Sequence, residues 1–141
     1  MTDLSASTTA EQTAPRRRAL TVLRVASVAF LFDTLLQAAL AGLFITGDVR
    51  FLDLHAANAQ LLAALSVLEA VAALVVWRSL KGPAWPFTTA VGLVVLVAAQ
   101  MGLGAARMLG GHVPLALAVF GAGTVLAWWS CTYRGAEGGR G

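Results

Sequence analysis

The sequence predicts an all-α integral membrane protein, built as an up-down bundle of four transmembrane helices with both termini on the cytoplasmic side. Three observations predict it. First, hydrophobic residue types make up 58% of the chain and charged types only 12%, with a mean hydropathy of +0.77. A soluble domain carries about twice that share of charge, because its surface must stay wetted. Second, no Asp, Glu, Lys or Arg occurs between Gly82 and Ala106, nor between Met108 and Tyr133. Third, the positive charge is one-sided. Arg16, Arg17, Arg18, Arg24, Arg78, Lys81, Arg134 and Arg140 flank one side of the apolar segments, and only Arg50 and Arg107 flank the other. The positive-rich side of such a protein is cytoplasmic. Trp77, Trp85, Trp128, Trp129 and Tyr133 collect towards that same side, as an interfacial aromatic belt does.

The elements follow in order. Residues 1–18 are polar and end in three arginines, which predicts a disordered cytoplasmic tail. The transmembrane domain covers 19–133. Its first helix spans about Ala19 to Ile45, longer than the roughly 20 residues needed to cross the hydrocarbon. The tail and first helix imitate a signal peptide, but the apolar run exceeds the roughly 7–15 residues of such a segment and Asp33 interrupts it. A loop from Thr46 to Leu54 precedes the second helix, about His55 to Trp77. Gly82, Pro83 and Pro86 break the chain before the third helix, about Phe87 to Leu109. A turn at 110–114 leads to the fourth, about Val113 to Cys131. Residues 134–141 form a short glycine-rich cytoplasmic tail. One cysteine, Cys131, excludes an internal disulfide.

Polar residues inside these helices carry the functional information. Asp33 lies 12 residues from Ile45 and Glu69 lies 14 from His55, which places both about 20 Å deep at one level. An ionised carboxylate there costs about 2.5–3.5 kcal/mol. Both are expected to face the bundle interior, one at least protonated or the two sharing a proton. They serve either as a proton or ion relay or as a register-fixing hydrogen-bonded pair. Gln37 stands one turn from Asp33 on the same face, and Gln100 matches Gln37 in depth on the third helix. Gln100, Gly104 and Arg107 share a face.

The only two histidines, His55 and His112, open the second and fourth helices. The chain therefore reads as a loose tandem repeat of two hairpins, each a glutamine helix, a loop and a histidine helix. Two inward histidines at one depth on different helices suit axial ligation of a haem iron, with Arg50 and Arg107 near enough in depth to pair with propionates. The bland alternative is a pair of polar residues at the membrane interface.

The pattern Leu-Gln-Ala-Ala-Leu-Ala-Gly at 36–42, Leu-His-Ala-Ala-Asn at 54–58 and Gly-His-Val-Pro-Leu at 111–115 resembles small uncharacterised four-helix bacterial membrane proteins. More weakly, the helical region resembles one four-helix half of haem A synthase. That family carries histidines near the outer ends of the second and fourth helices of each half, which implies haem contacts for His55 and His112. The segment from Gln100 to Arg107 is similar to the helix before a haem-ligating histidine in that family. The glutamate-and-arginine motif ahead of the first histidine of its catalytic half is absent, and Asp53-Leu54-His55 stands there instead.

Three readings stay open. One is a haem b protein of the plasma membrane for electron transfer or haem handling, with His55 and His112 as iron ligands and Gln37, Gln100 and Arg107 around the group. Another is a small proton-coupled transporter using Asp33 and Glu69. The third is a structural subunit without chemistry of its own, partnered by a second copy or by another membrane protein. No nucleophile, zinc or phosphate-loop motif is present, so a soluble enzyme is not indicated. The arginines form no aromatic-interleaved patch, so no nucleic-acid partner is expected, and the bilayer is the expected surrounding.

Overall fold

A computed structural model describes residues 4–134, with side chains from Arg17 onward. Helices account for nearly all of it: α1 Leu4–Ile45, α2 Arg50–Ser79, α3 Trp85–Ala105 and α4 Leu109–Thr132. There is no strand among the described residues. Within α1 the stretch Arg17–Ile45, and α2, α3 and α4 along their whole lengths, are long and apolar enough to cross a membrane. The shortest, α3, has 21 residues. That is about 30 Å of helix, the thickness of a hydrocarbon core.

Each helix packs against its neighbours in sequence, and α4 closes the ring against α1. The α1 helix runs antiparallel to α2, since Gln37 meets His55 and Ser27 stands by Glu69, and antiparallel to α4, since Arg24 meets Ser130 and Phe30 meets Gly123. Large apolar side chains point outward: Phe32 is 67% exposed, Leu117 69% and Trp128 70%. A water-soluble surface does not tolerate such a girdle, while lipid does.

The enclosed core is confined to one end. Leu23, Phe30, Leu93 and Leu126 are wholly buried there, with Val76 and Val97 nearly so. Between 41 and 61, and between 98 and 118, no residue is buried. The cause is in the sequence. Ala38, Ala39, Ala41 and Gly42 on α1 and Gly102, Gly104 and Ala105 on α3 supply no bulk to fill the bundle at that end.

The helix boundaries differ from those expected. The α1 backbone is helical from Leu4, well ahead of Ala19. Ala, Glu and Gln are good helix formers, and the adjoining apolar span supplies the nucleus from which the helix extends. Residues 1–3 and 135–141, also expected as disordered tail, lie outside the described residues, as do the side chains of 4–16. The α2 helix starts at Arg50, five residues before His55. The Asp48 carboxylate accepts the Arg50 main-chain N–H at 3.1 Å, and this turn starts the helix early. The α3 helix stops at Ala105, short of Leu109, because Arg107 adopts φ 57° and the Met108 N–H closes on the Leu103 carbonyl at 2.9 Å. Such a left-handed residue ends a helix, and glycine usually occupies it. The α4 helix begins at Leu109 and takes Pro114 into its second turn, where the missing N–H costs one ladder bond.

Candidate functional site

The half-buried polar residues of the open end converge on two histidines. His55 on α2 and His112 on α4 face each other with ring centroids 6.2 Å apart and planes inclined at 60°. Each ring is fixed by its Nδ1. That of His55 lies 3.1 Å from the main-chain oxygen of Gln37, and that of His112 lies 3.0 Å from the main-chain oxygen of Gln100. A peptide oxygen only accepts, so both Nδ1 atoms carry the proton. In the neutral ring the Nε2 lone pair is then free to bind. Metal-ligating histidines are commonly held in this way, through a second-nitrogen hydrogen bond to a carbonyl or carboxylate.

The two halves differ in how the glutamine side chain is used. The Gln37 amide donates to the His55 carbonyl at 3.0 Å and accepts from the Asn58 amide at 2.9 Å. On the other half, Leu115 stands three residues after His112, where Asn58 stands after His55. The Gln100 side-chain oxygen is accordingly buried and unpartnered. Close packing of His112 against α3 needs Gly104. A Cβ there would meet the imidazole Cε1 at 3.1 Å and Nδ1 at 3.4 Å. Histidine, glutamine and, on the second half, glycine are brought together at this end.

The arginines are not. Arg107 lies beyond the end of α3, exposed, so helical spacing does not place it on the face of Gln100 and Gly104. Arg50 is exposed and paired with Asp48 at 2.7 Å, and its guanidinium holds the Asp48 carboxyl below the usual carboxylate range. The expected common level of Asp33 and Glu69 is also corrected. Asp33 stands beside Asn58 and Glu69 beside Ser27. Six residues of α1 separate the two levels, about 9 Å along the axis. The shared depth was counted from His55 as the start of α2, and the helix starts a turn and a half earlier. Asp33 is 6% exposed and Glu69 is fully buried. Among their side-chain oxygens, Oδ2 of Asp33 and both of Glu69 lack a hydrogen-bond partner.

Sequence reading counted Arg24 only as a flanking charge. It is a clamp between helices: Nε donates to the Ser130 carbonyl at 2.8 Å and Nη2 to the Tyr133 carbonyl at 2.7 Å. Tyr133 stacks on Trp129, which Trp85 meets edge to face, and Trp77 stacks on Phe87. The place of Arg24 on the inner face with Ser27 and Phe30, at helical spacing, was the available signal. No family model, curated protein or solved structure matches the chain.

Proposed function

We propose that the chain is a multi-pass protein of the plasma membrane that binds haem b between His55 and His112, for electron transfer or haem handling. The observation that carries this reading is the pair of facing imidazoles, each with Nδ1–H engaged by a main-chain carbonyl and Nε2 free. The ring centroids, 6.2 Å apart on different helices, support two ligands to one shared group. The orphaned, buried Gln100 side-chain oxygen supports a polar neighbour at this end.

In this reading His55 and His112 hold the iron. The main-chain carbonyls of Gln37 and Gln100 fix the rings, the Gln37 side chain joins α1 to His55 and Asn58 of α2, and Arg107, exposed past the end of α3, is the cation proposed for a propionate. Haem so ligated supplies one-electron chemistry, and two protein ligands leave no open position for a substrate. The paired contacts Gln37–His55 and Gln100–His112 support a tandem repeat of two hairpins. The one-sided positive charge supports cytoplasmic termini and a histidine level near the outer face.

The test is an absorption spectrum of protein expressed with haem supplied and purified in mild detergent, oxidised and then reduced with dithionite. A Soret band with sharpened reduced α and β bands is expected. His55→Ala and His112→Ala should each abolish it, and Asp33→Asn should spare it. A colourless protein with intact helical circular dichroism overturns the proposal and favours a structural subunit. The alternative in which Asp33 and Glu69 act as one proton-sharing pair loses its basis in the separation of their levels.

A further inference from the structure

Deeper in the bundle than the histidines lies a second polar group that haem binding does not use. Glu69 on α2 is fully buried, and both its carboxylate oxygens lack a partner. Ser27 on α1 faces it, is equally buried, and its hydroxyl is also unpartnered. Ser66, one turn away on α2, donates to the Ala63 carbonyl instead.

Among the described residues no ion pair reaches Glu69. From α1, Arg24, Ser27 and Asp33 point to this side, and the Arg24 guanidinium donates to the Ser130 and Tyr133 carbonyls. The α3 helix carries no titratable residue, and the only titratable groups of α4 are His112 at the far end and Cys131, which is exposed. On α2 itself, His55 is 14 residues away, and Arg78 is exposed beside Trp77. Two empty acceptors in an apolar enclosure without a cation demand a positive ligand.

We propose that Glu69, faced by Ser27, is a buried proton-binding site in which the carboxyl is held as the neutral acid. The ligand is a proton, not a metal cation. A bare cation needs a shell of several oxygens, and among the described residues no group of three or more His, Cys, Asp or Glu side chains could hold a metal ion. A proton needs one carboxylate oxygen, and the O–H so formed can donate to the Ser27 hydroxyl, which accepts. The proton comes from hydronium in the adjoining water, whose O–H bond breaks as the Glu69 O–H bond forms, and no other bond changes. Asp33, with one empty oxygen between this level and the imidazoles, is the next acceptor along α1.

The proposal is independent of haem. The full chain in detergent is treated with dicyclohexylcarbodiimide, which adds only to a protonated carboxyl in an apolar site, and the adduct is located by peptide mass. One adduct is expected at Glu69. It should be lost in Glu69→Gln, kept in His55→Ala, and diminished as pH rises, because raising pH removes the reactive acid. Infrared spectra of the unmodified protein provide a readout that needs no variant. A neutral-acid carbonyl band is expected, to be lost on raising pH and absent in Glu69→Gln. No adduct and no such band at acidic pH overturn the proposal. Protection by sodium ions at constant pH overturns it in favour of a cation site.

Discussion

Gly104 shows how one missing methyl group shapes the candidate site. The His112 ring lies where a side chain at 104 would be, and the ring cannot swing away without leaving the Gln100 carbonyl. Gly104→Ala is therefore expected to displace the imidazole by a few tenths of an ångström while leaving the helices in place. On the proposed haem reading, disturbing the groups that orient a metal ligand costs about 10–100-fold in affinity, and the small shift puts this variant near the lower figure. A haem titration followed at the Soret band checks it. Unchanged affinity would mean that Gly104 serves only helix approach. His55 has no such neighbour: Ala41, one turn from Gln37, already carries the methyl group. The two rings are thus held by the same kind of hydrogen bond but against different packing.

At the scale of the helix, chain ends govern the architecture. The carbonyls that α4 leaves without intrahelical partners at Ser130 and Tyr133 are taken up by Arg24 from α1, so one guanidinium ties the last helix to the first. Hydrogen bonds to a charged group contribute roughly 1.5–3 kcal/mol each. Arg24→Ala is expected to lower stability by at least the smaller of these figures, seen as a lower midpoint in thermal or detergent unfolding. Arg24→Lys should recover little, since an ammonium lacks the planar fork that reaches two carbonyls. A wild-type midpoint in both variants would show that water caps α4 equally well. Two other helix ends close on left-handed non-glycine residues, Lys81 at φ 55° and Arg107 at φ 57°. Their positive charge suits the negative end of a helix dipole, which offsets part of the backbone cost.

Across the whole molecule, close packing at one end contrasts with openness at the other. At the closed end Gly123 lets α4 approach Phe30, and a Cβ there would fall 2.8 Å from the ring. Phe30 is fully buried and has no free direction to move. Gly123→Ala should cost about 1–3 kcal/mol by overpacking, measured as a loss of unfolding midpoint with the proposed haem binding unchanged. The orientation in the membrane has its own test. In a Cys131→Ser background, Thr46→Cys in the α1–α2 connection should react with an impermeant maleimide added to intact cells. Lys81→Cys in the α2–α3 connection should react only after permeabilisation. The reverse pattern would overturn the cytoplasmic assignment of the termini.

Fold class was legible in the chain because hydrophobicity and length alone decide whether a segment suits a bilayer. The four apolar segments were found for that reason, although their ends moved. The early start of α2 depends on the Asp48 carboxylate meeting the Arg50 N–H, and the early stop of α3 on Arg107 taking a conformation normally left to glycine. Neither leaves a signal in hydropathy. The histidines and glutamines were singled out by rarity and spacing, since few polar residues survive in apolar helices without a partner. Spacing failed wherever it was measured from a misplaced helix end. It put Asp33 level with Glu69 and placed Arg107 on the face of Gln100. Only the packing of α1 against α2 and α4 decided that Asp33 stands beside Asn58, Glu69 beside Ser27, and Arg24 under the end of α4. Depth along one helix is local, countable at 1.5 Å per residue, whereas the register between two helices is set by which side chains interlock, and a single chain of letters does not state it.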